Sequence, residues 1–228
     1  MKKKAVILVS GGMDSTTVVA MALRDGFDVY PLSFSYGQRH IVELEKAKKM
    51  MESFGLQNHR IVALDLKTFG GSALTDDTIK VPKYNSFNEI SPGIPETYVP
   101  ARNTIFLSIA LAYAETIGAY DIMFGAHSQD AANYPDCKEE YIEAFEKMAN
   151  LGVGYTSDEK KVRIHAPLVK LSKAEIMKIG LDLGLDYSNT ISCYDPTPEG
   201  LSCGFCLSCL MRKKSSAENN IKDPTKYV

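Results

Sequence analysis

Lys4-Ala5-Val6-Ile7-Leu8-Val9-Ser10-Gly11-Gly12-Met13-Asp14-Ser15-Thr16-Thr17 decides the fold of this chain. The uninterrupted apolar run Ala5–Val9 predicts a strand buried on both faces, as in a parallel sheet. Thr16 to Leu23 predicts a helix that Gly26 stops. Ser-Gly-Gly-x-Asp-Ser therefore lies between the carboxyl end of a strand and the amino end of a helix. Free backbone N–H groups and the helix dipole favour a phosphate there, and the glycines let it approach closely. Ser10, Ser15 and Thr16 add hydroxyl donors. There is no Gly-Lys-Ser/Thr, so this is not a Walker A loop, and the third glycine of the dinucleotide fingerprint is missing. Asp14 suits a phosphate only through a bridging Mg²⁺, and is read as a metal-side residue or a helix-start acid.

Working outward, Phe27–Phe34 reads as a second strand, Ile41–Phe54 as a helix ended by Gly55, and Ile61–Leu64 as a third strand. Ile41, Leu44, Ala47, Met50 and Met51 form the helix's apolar face. Strands alternating with helices predict an α/β fold with a doubly wound parallel sheet, whose ligand sits beyond the carboxyl ends of the strands. That places Ser35–His40 near the ligand, with Arg39 and His40 as phosphate or substrate candidates or as solvated loop residues. Lys67–Pro95 has little periodicity and predicts a mobile cover or a dimer contact. Thr104–Ile117 is apolar nearly all round and predicts a helix buried against the sheet. Arg102 and Asn103 begin it, either beside the ligand or as a surface arginine and a capping asparagine. Tyr120–Ala126 predicts a fourth strand, followed by a polar loop from His127 to Cys137 at the substrate position, then a helix over Lys138–Asn150. His165–Leu168 ends a fifth strand. Ser172 and Glu175 form a capping box for a helix running to about Leu183. Lys173 lies in its first turn, against the helix dipole, unless an anion binds there.

At 228 residues, with 45% hydrophobic and 24% charged residues, the chain fits one large domain or a domain with an appendage. The expected division is 1–190 for the sheet domain and 191–228 for the appendage. The formal net charge of -2 gives no basic footprint, so no stable nucleic-acid complex is expected. Lys2-Lys3-Lys4 before Ala5–Val9 has the order of a signal peptide, but the apolar stretch is too short. No run reaches transmembrane length, so the expected location is cytoplasmic.

Cys193, Cys203, Cys206 and Cys209 bring four thiolates into a short stretch with C-x2-C spacing. Such a set suits a structural Zn²⁺, since no coordination position is left for water. An iron–sulfur cluster is the competing occupant. Cys137 is separate, either a substrate contact or a buried small residue. Arg212-Lys213-Lys214 could support phosphate or nucleic acid, and are read in preference as a solvated basic helix start.

Ser10–Ser15 at a first strand–helix turn looks like the PP-loop of ATP pyrophosphatases. Families sharing it cleave ATP between its α and β phosphates and pass AMP to a substrate oxygen. Pro100-Ala101-Arg102-Asn103 recurs in several of them, and a lysine after the last core strand, here Lys173, often meets the pyrophosphate. Further motifs span nearly the whole chain: Tyr36-Gly37-Gln38-Arg39-His40, Tyr134-Pro135-Asp136-Cys137, Lys173-Ala174-Glu175 and the four cysteines. Together they resemble the 7-cyano-7-deazaguanine synthase family of the queuosine pathway. Ala132-Asn133 and Lys138 depart from that pattern, which often has Ser-Gly and Arg there.

The resemblance implies an adenine-nucleotide alpha-hydrolase fold and an ATP-dependent ligase. It would convert 7-carboxy-7-deazaguanine and ammonia to the nitrile through an adenylated carboxylate and an amide. ATP, Mg²⁺ and a structural Zn²⁺ are the implied cofactors, and a homodimer the implied assembly. Leu8, Val9, Ser10, Gly11, Gly12, Met13, Asp14, Ser15, Thr16, Thr17 and Val18 would bind ATP with Arg102 and Asn103. Arg39, Asp130, Tyr134 and Asp136 would bind the deazapurine. Asp14, Ser15, Asp130 and Lys173 would serve catalysis, and the four cysteines the metal. The rival readings are another PP-loop enzyme that thiolates or amidates tRNA, and a nucleotide-sensing module without turnover.

Overall fold

The computed structural model describes residues 2–39, 41–157 and 159–228. Five parallel strands form one sheet in the order β3-β2-β1-β4-β5. They are β1 (Lys4–Leu8), β2 (Asp28–Ser35), β3 (Arg60–Ala63), β4 (Asp121–Met123) and β5 (Arg163–His165). The helices are α1 (Met13–Arg24), α2 (Ile41–Ser53), α3 (Arg102–Ile117), α4 (Ser128–Asn133), α5 (Glu139–Gly152), α6 (Lys173–Asp182) and α7 (Leu207–Glu218). The expected doubly wound sheet is present. Strand order reverses beside β1, and the crevice beyond that switch point is where such sheets bind ligands.

β1 explains its own sequence. Val6 and Leu8 join a core layer with Leu107 and Ala110 of α3 and Phe145 of α5. Ala5, Ile7 and Val9 join the opposite layer with Val18 of α1, Met50 of α2 and Ile176 of α6. A strand packed on both faces has no polar side to alternate with, hence the unbroken apolar run.

Several expectations shift. α1 begins at Met13, so the glycine loop is shorter than the sequence suggests. β3 lies at the sheet edge, and Ile61 is 47% exposed rather than buried. α3 buries one stripe, Leu107, Ala110, Leu111 and Ala114, and leaves Ser108 and Ala112 outside, so it is not enclosed all round. The polar segment after β4 contains the short helix α4. His127 accepts from the Asp130 N–H, and the Asp130 carboxylate accepts from the His127 N–H.

The long segment before α3 has no regular element beyond short turns at Lys67–Phe69 and Phe87–Glu89. It is nevertheless anchored, because Ser72, Ala73, Leu74, Thr75 and Val81 are buried. Arg39 donates to the carbonyls of Asp76 and Ile79, each at 2.8 Å, and Tyr84 N–H donates to Phe205 O at 2.7 Å.

The C-terminal stretch is built onto the sheet domain. Ile191 N–H donates to Gly11 O at 3.1 Å, and Asn219 Nδ2 donates to Ala174 O at 2.9 Å. Arg212 corrects the expectation of a solvated basic start, since it is 1% exposed. It donates to Tyr187 O at 2.7 Å and Thr190 Oγ1 at 2.8 Å, and Nε lies 3.4 Å from Asp223 Oδ1. Lys213 is also partnered, donating to Gly204 O at 2.9 Å. Among the described residues, no helix is long and apolar enough to cross a membrane.

Candidate active site

A cavity of about 260 Å³ opens beyond the carboxyl ends of β1, β2 and β4. Its floor is the loop from β1 to α1. Ser10 N–H and Ser10 Oγ both lie 3.2 Å from Ser15 Oγ, and Ser15 Oγ lies 3.2 Å from Gly12 O. The serines thus brace the turn. Gly12 caps α1 without a side-chain hydrogen bond, leaving the helix dipole directed at the cavity. Gly11 has φ +83°, and a Cβ there would come within 2.4 Å of Glu43 O and 2.9 Å of Ala47 N in α2. Only glycine combines that backbone with that approach. Gly125 is similarly placed after β4, where a Cβ would meet Ser15 N at 3.1 Å.

Lys173, 7% exposed in the first turn of α6, forms an ion pair with Asp14 Oδ2. Asp14 Oδ1 is buried with no hydrogen-bond partner among the described residues. A carboxylate oxygen without a described partner beside this glycine turn fits a hard divalent cation such as Mg²⁺.

A second wall comes from α3 and the segment after β4. Asp136 Oδ2 accepts from Asn103 N–H at 3.0 Å, so this carboxylate, not the Asn103 side chain, caps α3. Asn103 Nδ2 reaches Asp136 O at 3.3 Å and Cys137 Sγ at 3.1 Å. Burial pushes the Cys137 thiol well up, which makes it a poor nucleophile. Arg102 lies over the Phe106 ring, 5.9 Å from its centroid, and Phe106 stacks on Phe34 at 4.0 Å. Burial works against the Arg102 charge, but Tyr36 and Asp136 outweigh it and hold the guanidinium protonated. Burial raises the Asp130 carboxyl and lowers the neighbouring His127 imidazole, which Lys173 lowers further. Tyr134 stacks with Tyr98 of the long segment at 5.7 Å.

The four cysteine sulfurs lie within 4.8 Å of one another. Cys193 Sγ accepts from the N–H groups of Cys203 at 3.2 Å and Asp195 at 3.3 Å. Cys206 Sγ accepts from Tyr194 N–H at 3.4 Å, and Cys203 Sγ from Cys206 N–H at 3.3 Å. Sulfurs that receive backbone donors in a tetrad are arranged as thiolate ligands, which fits a soft or borderline metal ion.

Residues 4–220 match the family described as "Queuosine biosynthesis protein QueC". The chain belongs to the QueC family. Two relatives, both named 7-cyano-7-deazaguanine synthase, come from Rickettsia akari (54% identical) and Rickettsia felis (55%). Each match covers 99% of this chain and 100% of the relative. An NMN synthetase structure from Francisella tularensis aligns with TM-score 0.50 at 16% identity, covering 97% of this chain and 79% of that one. That likeness speaks for the fold alone.

In this QueC-family chain the cavity gathers Leu8, Val9, Ser10, Gly12, Asp14, Ser15, Arg102, Asn103, Asp130, Tyr134, Asp136 and Lys173 from the sequence candidates. Others lie elsewhere. Met13 packs against Met177 and Tyr187, and Val18 belongs to the core. Thr16 Oγ1 is spent on Gly12 O at 2.9 Å. Thr17 Oγ1 is spent on Met13 O at 2.8 Å and Tyr187 Oη at 2.7 Å. Gly11 turns against α2. Arg39 is a correction, since it pins the long segment instead of lining the cavity. His40 lies outside the described residues. The sequence reading missed Glu43, the aromatic pair Phe34 and Phe106, and the C-terminal contribution of Ile191, Tyr194 and Met211.

Proposed function

We propose that this chain is an ATP-dependent ligase that converts 7-carboxy-7-deazaguanine and ammonia to 7-cyano-7-deazaguanine for queuosine biosynthesis. One juxtaposition carries the reading. The Ser10–Ser15 loop and the Asp130–Cys137 segment share a cavity, in a chain whose full-length relatives bear that enzyme's name.

The substrate carboxylate attacks the α-phosphorus of ATP, and the bond to pyrophosphate breaks. Ammonia then bonds to the acyl carbon, AMP leaves, and the amide forms with loss of a proton. The amide oxygen attacks a second ATP in the same way. Departure of AMP with loss of the nitrogen's remaining protons gives the nitrile. The chain's task is to hold charge on the α-phosphate and the leaving pyrophosphate, which fixed dipoles and cations do best in a site closed to water.

The backbone N–H groups of the Ser10–Ser15 turn and the α1 dipole hold the phosphates, and Lys173 neutralises the pyrophosphate. Arg102 and Asn103 lie beside the nucleotide, while Asp130, Tyr134 and Asp136 face the deazaguanine. Asp14, through its unpartnered Oδ1, would hold Mg²⁺, which supplies charge neutralisation between the phosphates. The cysteine tetrad would hold Zn²⁺ in a structural role, making 191–228 a metal-bearing element on the 1–190 domain. We place the enzyme in the cytoplasm as a homodimer using free ammonia. The net charge of -2 favours a small-molecule substrate over a stable nucleic-acid complex.

The test is incubation with 7-carboxy-7-deazaguanine, ammonium, Mg²⁺ and ATP, followed by mass spectrometry. ATP-dependent nitrile that disappears in Asp14→Ala is expected. ATP binding with the deazaguanine untouched would remove the substrate assignment.

A further inference from the structure

Making a nitrile from ammonia strips every proton from the nitrogen, one as the amide forms and two as it is dehydrated. The roles given above cover phosphate, metal and deazaguanine, and none of them takes these protons. Four carboxyls line the cavity, from Asp14, Glu43, Asp130 and Asp136. Asp14 is ion-paired with Lys173. Asp130 Oδ2 accepts from His127 N–H at 3.3 Å and lies 3.3 Å from His127 Nε2. Asp136 is committed to the amino end of α3. Among the described residues, Arg102 is the charged group that acts on the Glu43 carboxyl and no hydrogen bond holds it, which sets it apart from the other three.

Glu43 is held in place from behind. It lies in the first turn of α2, and its backbone carbonyl packs on Gly11 so closely that a Cβ there would come within 2.4 Å. The start of α2 is therefore seated on the phosphate-binding turn. In front, Glu43 lines the cavity together with Arg102 of α3 and Tyr36 just after β2, the charged and titratable groups that act on its carboxyl. It thus occupies the stretch of wall between the phosphate turn and Arg102.

We propose that Glu43 is the base that accepts protons from the substrate nitrogen in both halves of the reaction, an inference that rests on the synthase reading above. As ammonia bonds to the acyl carbon, the Glu43 carboxylate takes one N–H proton. The C–O bond to AMP then breaks, and AMP leaves with the electron pair. In the second half the O-adenylated amide gives one N–H proton to the Glu43 carboxylate, which passes it to water, and becomes a neutral imidate. Glu43 then takes the last N–H proton, the N–H electrons form the new C–N π bond, and the C–O bond breaks with AMP leaving. Between steps the protonated carboxyl returns its proton to water through the cavity mouth.

The environment suits the role. Burial pushes the Glu43 carboxyl up to about 8, with Arg102 opposing the rise. A base whose pKa lies near the operating pH is both available and strong enough to take a proton. The competing role is structural, with Glu43 only holding Arg102 in position.

The experiment separates activation from nitrogen chemistry. ATP–pyrophosphate exchange dependent on 7-carboxy-7-deazaguanine, without ammonium, reports the first activation alone. Nitrile formation with ammonium reports the whole sequence. In Glu43→Gln, exchange stays within a few-fold of wild type, while nitrile formation falls about 10²-fold in kcat. Glu43→Asp, which keeps the carboxyl, recovers part of the loss. Parallel loss of exchange and nitrile in both variants assigns Glu43 a structural role and overturns the proposal, as does unchanged nitrile formation in Glu43→Gln. A wild-type protein without substrate-dependent exchange would instead remove the synthase reading itself.

Discussion

Replacing Arg212 by alanine tests the way the C-terminal element is fixed to the sheet domain. Its guanidinium is 1% exposed and serves Tyr187 O, Thr190 Oγ1 and Asp223 together. Truncation leaves a carbonyl, a hydroxyl and a carboxylate without their common donor. Breaking a buried ion pair from one side costs about 3–5 kcal/mol. Asp223 keeps two other donors, Thr225 N–H at 2.9 Å and the Tyr227 hydroxyl, so the lower end applies. At about 2–4 °C per kcal/mol for a chain of this size, a loss of about 3 kcal/mol lowers Tm by roughly 6–12 °C. Thermal unfolding followed by circular dichroism reads the shift directly. Lys214→Ala is the control, because Lys214 is exposed, with Glu218 at 3.6 Å and the Phe87 ring centroid 5.4 Å from its Nζ. That change should stay within about 0.5 kcal/mol. The alanine variant at 212 should also bind ATP more weakly, since Leu207 and Met211 of the same helix line the cavity. A Tm shift for Arg212→Ala no larger than for Lys214→Ala would refute the reasoning.

Three further outcomes follow from the same geometry. Gly11→Ala must place a Cβ at φ +83° against the backbone of Glu43 and Ala47, adding about 1–2 kcal/mol of strain from the left-handed conformation before any clash. Calorimetry should show weakened ATP binding and a lowered Tm, and unchanged binding would contradict the close approach. Elemental analysis should find zinc and no iron in the purified protein, and Cys206→Ser should lose the metal together with thermal stability. Glu43 gives a pH signature of its own. Its folded pKa of about 8 lies above its ordinary value, so the carboxyl is neutral in the fold and ionised when unfolded between the two. Wild-type stability therefore falls as pH rises through that window. Glu43→Gln, uncharged throughout, should match wild type near pH 4 and exceed it near pH 9 in denaturant melts. Parallel stability curves for the two proteins would contradict the raised Glu43 carboxyl.

What the sequence made legible was local. The glycine turn declares itself because strand, turn and helix start are contiguous, and the cysteine tetrad because its ligands fall within 17 residues, Cys193 to Cys209. Arg212 was not legible, since a basic triplet in a helix looks the same whichever member turns inward. Its burial depends on Tyr187 and Thr190, which come from another part of the chain. α4 was hidden because six residues are too few for a helical period, and His127 is an unusual N-cap. The cavity wall from Ile191 to Met211 arises from packing alone. Glu43 did leave a signal. It stands four residues before Ala47 and seven before Met50, on the stripe that faces inward. A carboxylate on an apolar stripe is the mark of a residue with a use for its burial.

The most direct test of the account is stoichiometric. With ¹⁵N-ammonium and 7-carboxy-7-deazaguanine, AMP release and ¹⁵N-labelled nitrile are quantified together by mass spectrometry in a single-enzyme reaction. The account predicts two AMP released for each nitrile, with labelled amide appearing first and then consumed. One AMP per deazapurine with the amide as the final product, or ATP cleavage without labelled product, would contradict it.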